Sequence, residues 1–240
     1  MKRHLKNTFL GEFKMKQRIL LTAMGIVALL LVAGAASADT MKISPSDDTW
    51  FASWAPTTNL GTTASLNVGP NANTPVGVTR SALKFDLSAV PAGYRITSAT
   101  LYLYTGAAPA STTNSYNVYT VSGTDATTWS ETTATWNTPQ ADWTYTLAES
   151  SPVSVTAAGW YHWDITAALT QGEIVTLGLK ATTETNTTGS SQLINFYSTH
   201  SSNNLLHPYL SVTYEEIPEP ATAVLLLAGM GLVAKIRKNK

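Results

Sequence analysis

The chain has 240 residues, no cysteine, and equal numbers of basic and acidic residues, 15 of each. The charge is unevenly distributed, because residues 39–217 contain five basic and thirteen acidic residues and carry a formal charge of −8. Nucleic-acid backbones are bound by clustered lysine and arginine, so this composition argues against a nucleic-acid partner. Since no disulfide can form, the central segment must depend on a buried core, for which it is long enough.

The N-terminus has the pattern of a secretory signal. Three basic residues precede an apolar run over residues 19–33, and the run is followed by the small-residue sequence Ala-Ser-Ala. Signal peptides combine these three features in this order. We therefore predict a helical signal peptide over residues 1–38, cleaved between Ala38 and Asp39. Residues 1–14 precede this pattern and read as an over-extended start. The alternative is a retained transmembrane helix, because about 17 apolar residues can just span a bilayer.

The central segment is predicted to be rich in β-strands. Apolar and polar residues alternate with period two over residues 83–87, 99–104 and 209–214, which is typical of half-buried strands. Turn-forming Gly, Pro, Asn, Ser and Thr separate these strands from the other predicted ones, at 48–53, 65–69, 116–121, 152–155, 160–164, 175–181 and 193–198. Only residues 166–171 favour a helical turn. We predict one all-β domain over residues 39–217, an antiparallel sandwich.

The C-terminus is a three-part tail over residues 218–240. Pro218, Glu219 and Pro220 precede an apolar stretch over residues 221–234, and a basic cluster follows at 235–240. Fourteen residues extend about 21 Å as a helix, against a hydrocarbon core of about 30 Å, so this stretch is a marginal permanent anchor. We predict a transmembrane helix there, with the basic end on the cytoplasmic side and the preceding domain outside.

This tail resembles the PEP-CTERM sorting signal, whose defining tripeptide is Pro218-Glu219-Pro220. The resemblance implies that an exosortase-type membrane protease removes the tail, and proteins of this kind often accompany exopolysaccharide production. It places the protein in the cell envelope or outside the cell, with the tail in the membrane before processing. A plain short anchor after a chance tripeptide is the alternative.

The central segment resembles a DNRLRE domain over residues 48–214. The resembling sequences are NLG at 59–61, LNVG at 66–69, RSALKFDLS at 80–88, ITSATLYL at 96–103, WSETTATWN at 129–137, WDIT at 163–166 and PYLSV at 208–212. The resemblance implies a jelly-roll-like β-sandwich grouped with carbohydrate-binding modules and similar to archaeal surface and disaggregatase repeats. Ala82 departs from the pattern, since a larger apolar residue is usual there.

Four residues are predicted to bind carbohydrate. Leu101 and Leu103 should face the core, so Tyr102 and Tyr104 should project outward, where their rings can stack on sugars. Cross-strand packing on an exposed sheet is the alternative role for both tyrosines. Lys84 projects outward from its own strand in the same way, and Trp143 is expected to be exposed in a loop.

Catalytic patterns are weak. The histidines are scattered without metal-ligand spacing, and no Gly-x-Ser-x-Gly sequence is present. Asp86, Glu131 and Asp164 could supply a carboxylate pair for glycoside hydrolysis, but all three lie in elements that the resemblance assigns to the scaffold, and Glu131 should cap backbone amides. We predict that the protein is not an enzyme.

Asp47, Asp48 and Asp86 could bind a structural calcium ion through oxygen ligands, and no other cofactor is predicted.

Three functions remain open at this point. The preferred prediction is an exported, non-catalytic surface or matrix protein that associates with (exo)polysaccharide and is processed by an exosortase-type enzyme. The first alternative is a polysaccharide lyase or hydrolase, which would release products from a glycan. The second is a structural adhesion protein that binds no glycan.

Overall fold

The computed structural model describes residues 37–72, 76–109, 114–149, 151–185 and 191–217. In this part of the chain twelve β-strands are connected by turns, loops and four 3₁₀ helices. The strands are β1 (Ala38–Ile43), β2 (Asp47–Ala52), β3 (Ser65–Asn71), β4 (Gly77–Asp86), β5 (Tyr94–Thr105), β6 (Ser115–Gly123), β7 (Trp143–Leu147), β8 (Val153–Ser154), β9 (Gly159–Asp164), β10 (Ile174–Ala181), β11 (Ile194–Tyr197) and β12 (Tyr209–Glu216). The 3₁₀ helices span Leu87–Ala89, Gln140–Asp142, Thr166–Ala168 and Asn204–Leu206, so the predicted helical turn is present but ends early.

The strands form two antiparallel sheets. Sheet 1 contains β1, β12, β5, β9 and β11, and sheet 2 contains β2, β4, β10, β6, β7 and β8. Strand β3 belongs to both, because its first residues pair with β11 and residues from Gly69 onward pair with β4. The predicted all-β antiparallel sandwich is confirmed.

Gly69 lies where β3 passes from one sheet to the other. Its φ of 119° is in the region that favours glycine. A Cβ atom at this position would lie 2.5 Å from the carbonyl oxygen of Gln192, which is too close for any side chain. The crossing therefore depends on a residue without a side chain.

The main core lies between the sheets and follows the predicted alternation. Leu83 and Phe85 of β4, Leu87 just after it, and Leu101 and Leu103 of the other sheet are fully buried in a single apolar cluster. The largest fully buried side chain is Trp163 on β9. Its Nε1 donates a hydrogen bond at 3.0 Å to the carbonyl oxygen of Tyr116 on β6, which belongs to the other sheet. The polar edge of this indole is therefore satisfied inside the core.

A second apolar cluster lies on the outer side of sheet 2, under residues 124–139, which we call the covering loop. Trp129 and Ala134 of this loop pack with Phe51 and Ala82. Trp129 Nε1 also donates to Thr176 Oγ1 of β10 at 2.8 Å. Ala82 is fully buried here, so the small residue that departs from the DNRLRE pattern lies in a packed position. This sheet is consequently covered on both faces along part of its length.

The two ends of the described domain lie beside each other. Ala38 pairs with Glu215 where β1 and β12 run antiparallel. The backbone N–H of Ile217, just beyond β12, donates to the carbonyl oxygen of Gly93 at 2.7 Å. The predicted cleavage bond between Ala38 and Asp39 joins the first two residues of β1. Most of the predicted signal peptide and the whole tail lie outside the described residues. Among the helices that the structure describes, none has the length and apolar character needed to cross a bilayer.

Candidate functional site

Aromatic side chains gather on the outer side of sheet 1. Because Leu101 and Leu103 enter the core, Tyr102 and Tyr104 project to the opposite side of β5, as predicted. The neighbouring strands add rings on the same side. We call this set the aromatic face, and its members are Tyr102, Tyr104, Trp160, His162, Tyr197 and Tyr209.

Strand register brings these rings together. Tyr102 is directly opposite His162 on β9 and Tyr209 on β12. The rings of Tyr102 and Tyr209 are stacked, with centroids 4.8 Å apart and planes inclined by 10°. Trp160 lies edge-to-face against both Tyr104 and Tyr209, at centroid distances of 5.5 and 5.4 Å. Aromatic contacts of this kind fix ring orientation, so the surface is ordered before any ligand arrives.

The aromatic face is accessible to solvent. Trp160 is 38 % exposed, the tyrosines are half-buried, and His162 is exposed. The ammonium group of Lys42, from β1, lies 4.2 Å from the centroid of the Tyr209 ring, within cation–π range. The surface thus offers ring faces, phenol hydroxyls and one ammonium group. This chemistry suits a ligand with apolar C–H faces and many hydroxyl groups.

A polar cluster lies elsewhere, where β2 meets the covering loop and the turn after β11. The backbone N–H of Asp48 donates to Glu131 Oε2 at 3.0 Å, which confirms that Glu131 caps a backbone amide. Glu131 Oε1 lies 2.9 Å from Nε2 of His200. Burial raises the pKa of the Asp48 carboxyl to about 6, although a hydrogen bond from the Thr199 backbone N–H opposes this shift. The three side chains come from segments far apart in sequence.

A family model described as carbohydrate-binding module family 96 matches residues 39–214. The chain belongs to this family. A second model, the PEP-CTERM protein-sorting motif, matches residues 216–239 of the family 96 protein and confirms the predicted sorting motif. The prediction of a carbohydrate-binding type of domain is likewise confirmed, whereas the DNRLRE assignment stays a prediction.

No curated protein matches the family 96 chain. Among solved structures, it is similar to the CBM22-1 xylan-binding domain from Paenibacillus barcinonensis Xyn10C. The two share 14 % sequence identity with a TM-score of 0.31, and the match covers 75 % of this chain and 97 % of that one.

Sequence reasoning found two of the six rings on the aromatic face of the family 96 module. The other four were missed as site residues, although a signal was present for three of them. Trp160 and His162 alternate with Tyr161 and Trp163 in a predicted strand, and Tyr209 begins another. The tyrosines also pack across strands, which was their alternative role. Carbohydrate binding by Tyr102 and Tyr104 stays a prediction.

The expectation that Trp143 is exposed in a loop is wrong. It is the first residue of β7 and only 7 % exposed. Its ring lies 5.7 Å from Phe51 and 5.8 Å from Trp129, between centroids, and Nε1 donates to the Thr124 carbonyl at 3.1 Å. The reason is that its ring packs inside the second apolar cluster. Trp143 therefore supports the covering loop and offers no face to a ligand.

Lys84 projects from the outer side of sheet 2, as predicted, but the covering loop encloses it. Its side chain is 12 % exposed, and Nζ lies 2.8 Å from Asp47 Oδ2. The ammonium group also donates to the backbone carbonyl of Trp129 and lies 5.2 Å from the centre of that residue's ring. Lys84 therefore holds the covering loop to the sheet. Its enclosed position does not support the prediction that it binds carbohydrate at the surface.

The three aspartates proposed to bind calcium do not form one ligand set. Asp47 pairs with Lys84, and its Oδ1 accepts from the Glu131 backbone N–H at 3.1 Å. Asp48 joins the polar cluster described above. The exposed carboxylate of Asp86 caps a 3₁₀ helix by accepting from the Ser88 N–H at 2.9 Å. Neighbouring strand residues point to opposite sides, which separates the first two.

Like Glu131, the other two carboxylates considered for hydrolysis act as caps. Hydrogen bonds from Ser88 hold the pKa of Asp86 below its usual range. Those from Thr166 do the same for the pKa of Asp164, whose Oδ1 accepts from both the N–H and the hydroxyl of that residue. A general acid in glycoside hydrolysis needs a raised pKa, so these environments suit caps better than acids.

Proposed function

We propose that this family 96 protein is an exported, non-catalytic surface protein that binds polysaccharide through the aromatic face. One observation carries the proposal. Six contacting rings occupy the solvent side of one sheet, in a domain that belongs to a carbohydrate-binding family. The polymer is a cell-surface or matrix polysaccharide, and an exopolysaccharide exported with the protein is the preferred source.

Binding would occur by stacking. The exposed ring of Trp160 can accept the apolar C–H face of a sugar, while tyrosine hydroxyls bond to neighbouring hydroxyl groups. Lys42 adds a cation at the β1 side of the surface. Since the rings are already packed against each other, little side-chain entropy is lost on binding.

Replacing Trp160 with alanine is expected to raise the Kd for the bound glycan at least tenfold, which corresponds to about 1.4 kcal/mol. Trp160 is exposed, whereas the four tyrosines of the aromatic face are half-buried, and aromatic residues often dominate binding energy. The measurement is isothermal titration calorimetry with the full chain in detergent, after a screen of neutral and acidic exopolysaccharides. Tyr102→Ala should weaken binding in the same direction.

Tyr119→Ala is the matched control, because Tyr119 is a half-buried tyrosine on sheet 2. It should leave the Kd unchanged. If Tyr119→Ala weakens binding and Trp160→Ala does not, the binding surface lies on the other sheet. Saturable binding to no glycan in the screen would favour the purely structural adhesion role.

The non-catalytic part of the proposal rests on the capping roles of Asp86 and Asp164. Incubation of the full chain with every glycan in the screen should release neither reducing ends nor unsaturated products. Release of either product would replace the binding role with the hydrolase or lyase alternative.

We also propose that residues 1–38 direct export and that an exosortase-type protease removes the tail beginning at Pro218. The matched sorting motif over residues 216–239 supports this route. In cells that contain the protease, a C-terminal epitope should be lost from the wild-type protein and retained in Glu219→Ala, as seen on immunoblots. Glu216→Ala, an acidic residue just outside the tripeptide, is the control and should be processed normally. Retention of the epitope in all three proteins would contradict the proposal.

A further inference from the structure

We infer that Asp48, Glu131 and His200 form a binding site for a divalent transition-metal ion of the Zn²⁺ type. Each residue offers one ligand atom, and these three atoms all lie within 4.8 Å of one another. Protein zinc sites use imidazole nitrogen and carboxylate oxygen at about 2.0–2.2 Å from the metal. Ligand atoms this close to each other need only small side-chain movements to surround one ion.

An unpaired oxygen supports a cation at this place. Asp48 is fully buried, and its Oδ2 accepts from the Thr199 N–H at 2.7 Å. Its Oδ1 is also buried and finds no hydrogen-bond partner in the described part of the chain. A buried carboxylate oxygen without a partner is costly, and a bound cation would satisfy it.

The charges of the ligands match a divalent ion. Asp48 and Glu131 bring two carboxylates together, whereas the nearby ammonium group of Lys84 is already paired with Asp47. Two carboxylates and a neutral imidazole balance the charge of M²⁺. The ion would displace the contact between His200 Nε2 and Glu131 Oε1.

The ligand types select the metal. Calcium takes six to eight oxygen ligands, so an imidazole in the set disfavours it. One nitrogen and two oxygens suit zinc and its transition-metal neighbours. His200 and Glu131 have side chains 34 % and 18 % exposed, so the site is accessible to solvent and water could supply a further ligand. The predicted calcium site and this site share only Asp48.

The ion would join three distant segments. Asp48 lies on β2, Glu131 in the covering loop, and His200 in the turn after β11. Their pairwise separations in sequence include 83 and 69 residues, between Asp48 and Glu131 and between Glu131 and His200. Metal binding to a site that exists only in the folded state adds to the free energy of folding. The ion therefore acts as a cross-link in a protein without cysteine.

The test uses tag-free full chain in detergent, stripped with a chelator and titrated with ZnCl₂ by calorimetry at pH 7.5. We expect one Zn²⁺ per chain and a higher Tm with Zn²⁺ than without it, while Ca²⁺ and Mg²⁺ produce neither effect. His200→Asn should weaken Zn²⁺ binding at least tenfold, and Asp48→Asn should do the same. The visible absorption of bound Co²⁺ should change in His200→Asn, which reports on ligation directly.

Asp86→Asn is the matched control, because asparagine caps helices as well as aspartate does and Asp86 belongs only to the calcium set. It should bind Zn²⁺ like the wild type. Circular dichroism of each metal-free variant shows whether it is folded. The inference is overturned if the folded wild type binds no Zn²⁺, if His200→Asn and Asp48→Asn bind it equally well, or if Ca²⁺ binds and Asp86→Asn abolishes that binding.

Discussion

Trp163→Ala is expected to lower the free energy of unfolding by about 3–5 kcal/mol, the usual cost of truncating a large buried aromatic residue. Trp163 is fully buried and lies edge-to-face against Phe196, with ring centroids 5.9 Å apart. The substitution also removes the hydrogen bond to Tyr116 that joins the two sheets. Urea denaturation followed by circular dichroism measures the effect.

Trp160→Ala is the control on the same strand. Its ring is on the solvent side of β9, three residues from Trp163, so its loss should cost no more than about 1 kcal/mol. The pair separates folding from binding, because Trp160→Ala should fold and lose affinity for glycan. Equal destabilisation by the two substitutions would contradict the assignment of one ring to the core and the other to the surface.

Lys84→Met is expected to lower the free energy of unfolding by about 2–3 kcal/mol at pH 7. The variant keeps an apolar stem but leaves the Asp47 carboxylate, 16 % exposed, without its cation. Breaking one partner of an enclosed ion pair costs more than the pair itself contributes. The carbonyl of Trp129 also loses its donor, so the covering loop should open more readily. Urea denaturation gives the stability, and native-state hydrogen exchange reports the loop.

Adding Asp47→Asn to Lys84→Met should restore more than half of the lost stability, because no charge is then left unpaired. The Kd for glycan should be the same in Lys84→Met and in the wild type, since Lys84 is on the sheet opposite the aromatic face. If Lys84→Met has normal stability but weakened glycan binding, Lys84 binds carbohydrate, as its outward direction first indicated.

Much of the fold could be predicted because the alternation of apolar and polar residues within a single strand identifies the side of that strand that is buried. Leu83 and Phe85 alternate with polar neighbours, and this local pattern is enough to assign the inward side. The same logic gave the outward direction of Tyr102. Strand limits and the helical turn were less accurate, because the ends of elements depend on pairing partners that a single segment does not contain.

Parts of the candidate site could not be predicted because they depend on contacts between distant segments. Nothing in the segment around Trp143 indicates that the covering loop and Phe51 enclose its ring. The same loop hides Lys84, whose outward direction ordinarily means exposure. His200 comes close to Asp48 only because the turn after β11 lies beside the start of β2, so spacing along the chain gave no sign of this cluster. Tertiary packing decided each of these cases.

The position of Tyr209 at the start of β12 has a mechanical consequence. The other end of this strand leads to the sorting tail. Before the tail is removed, a protein that is held in the membrane by the tail and has bound a polymer at the aromatic face would carry the tension along this one strand. Hydrogen bonds in antiparallel ladders run perpendicular to the strands. Tension along β12 would therefore shear its bonds to β1 and β5 together rather than open them one at a time. A domain loaded along a strand in this way should resist a larger force than a domain in which the pull is perpendicular to an edge strand and breaks its hydrogen bonds one at a time.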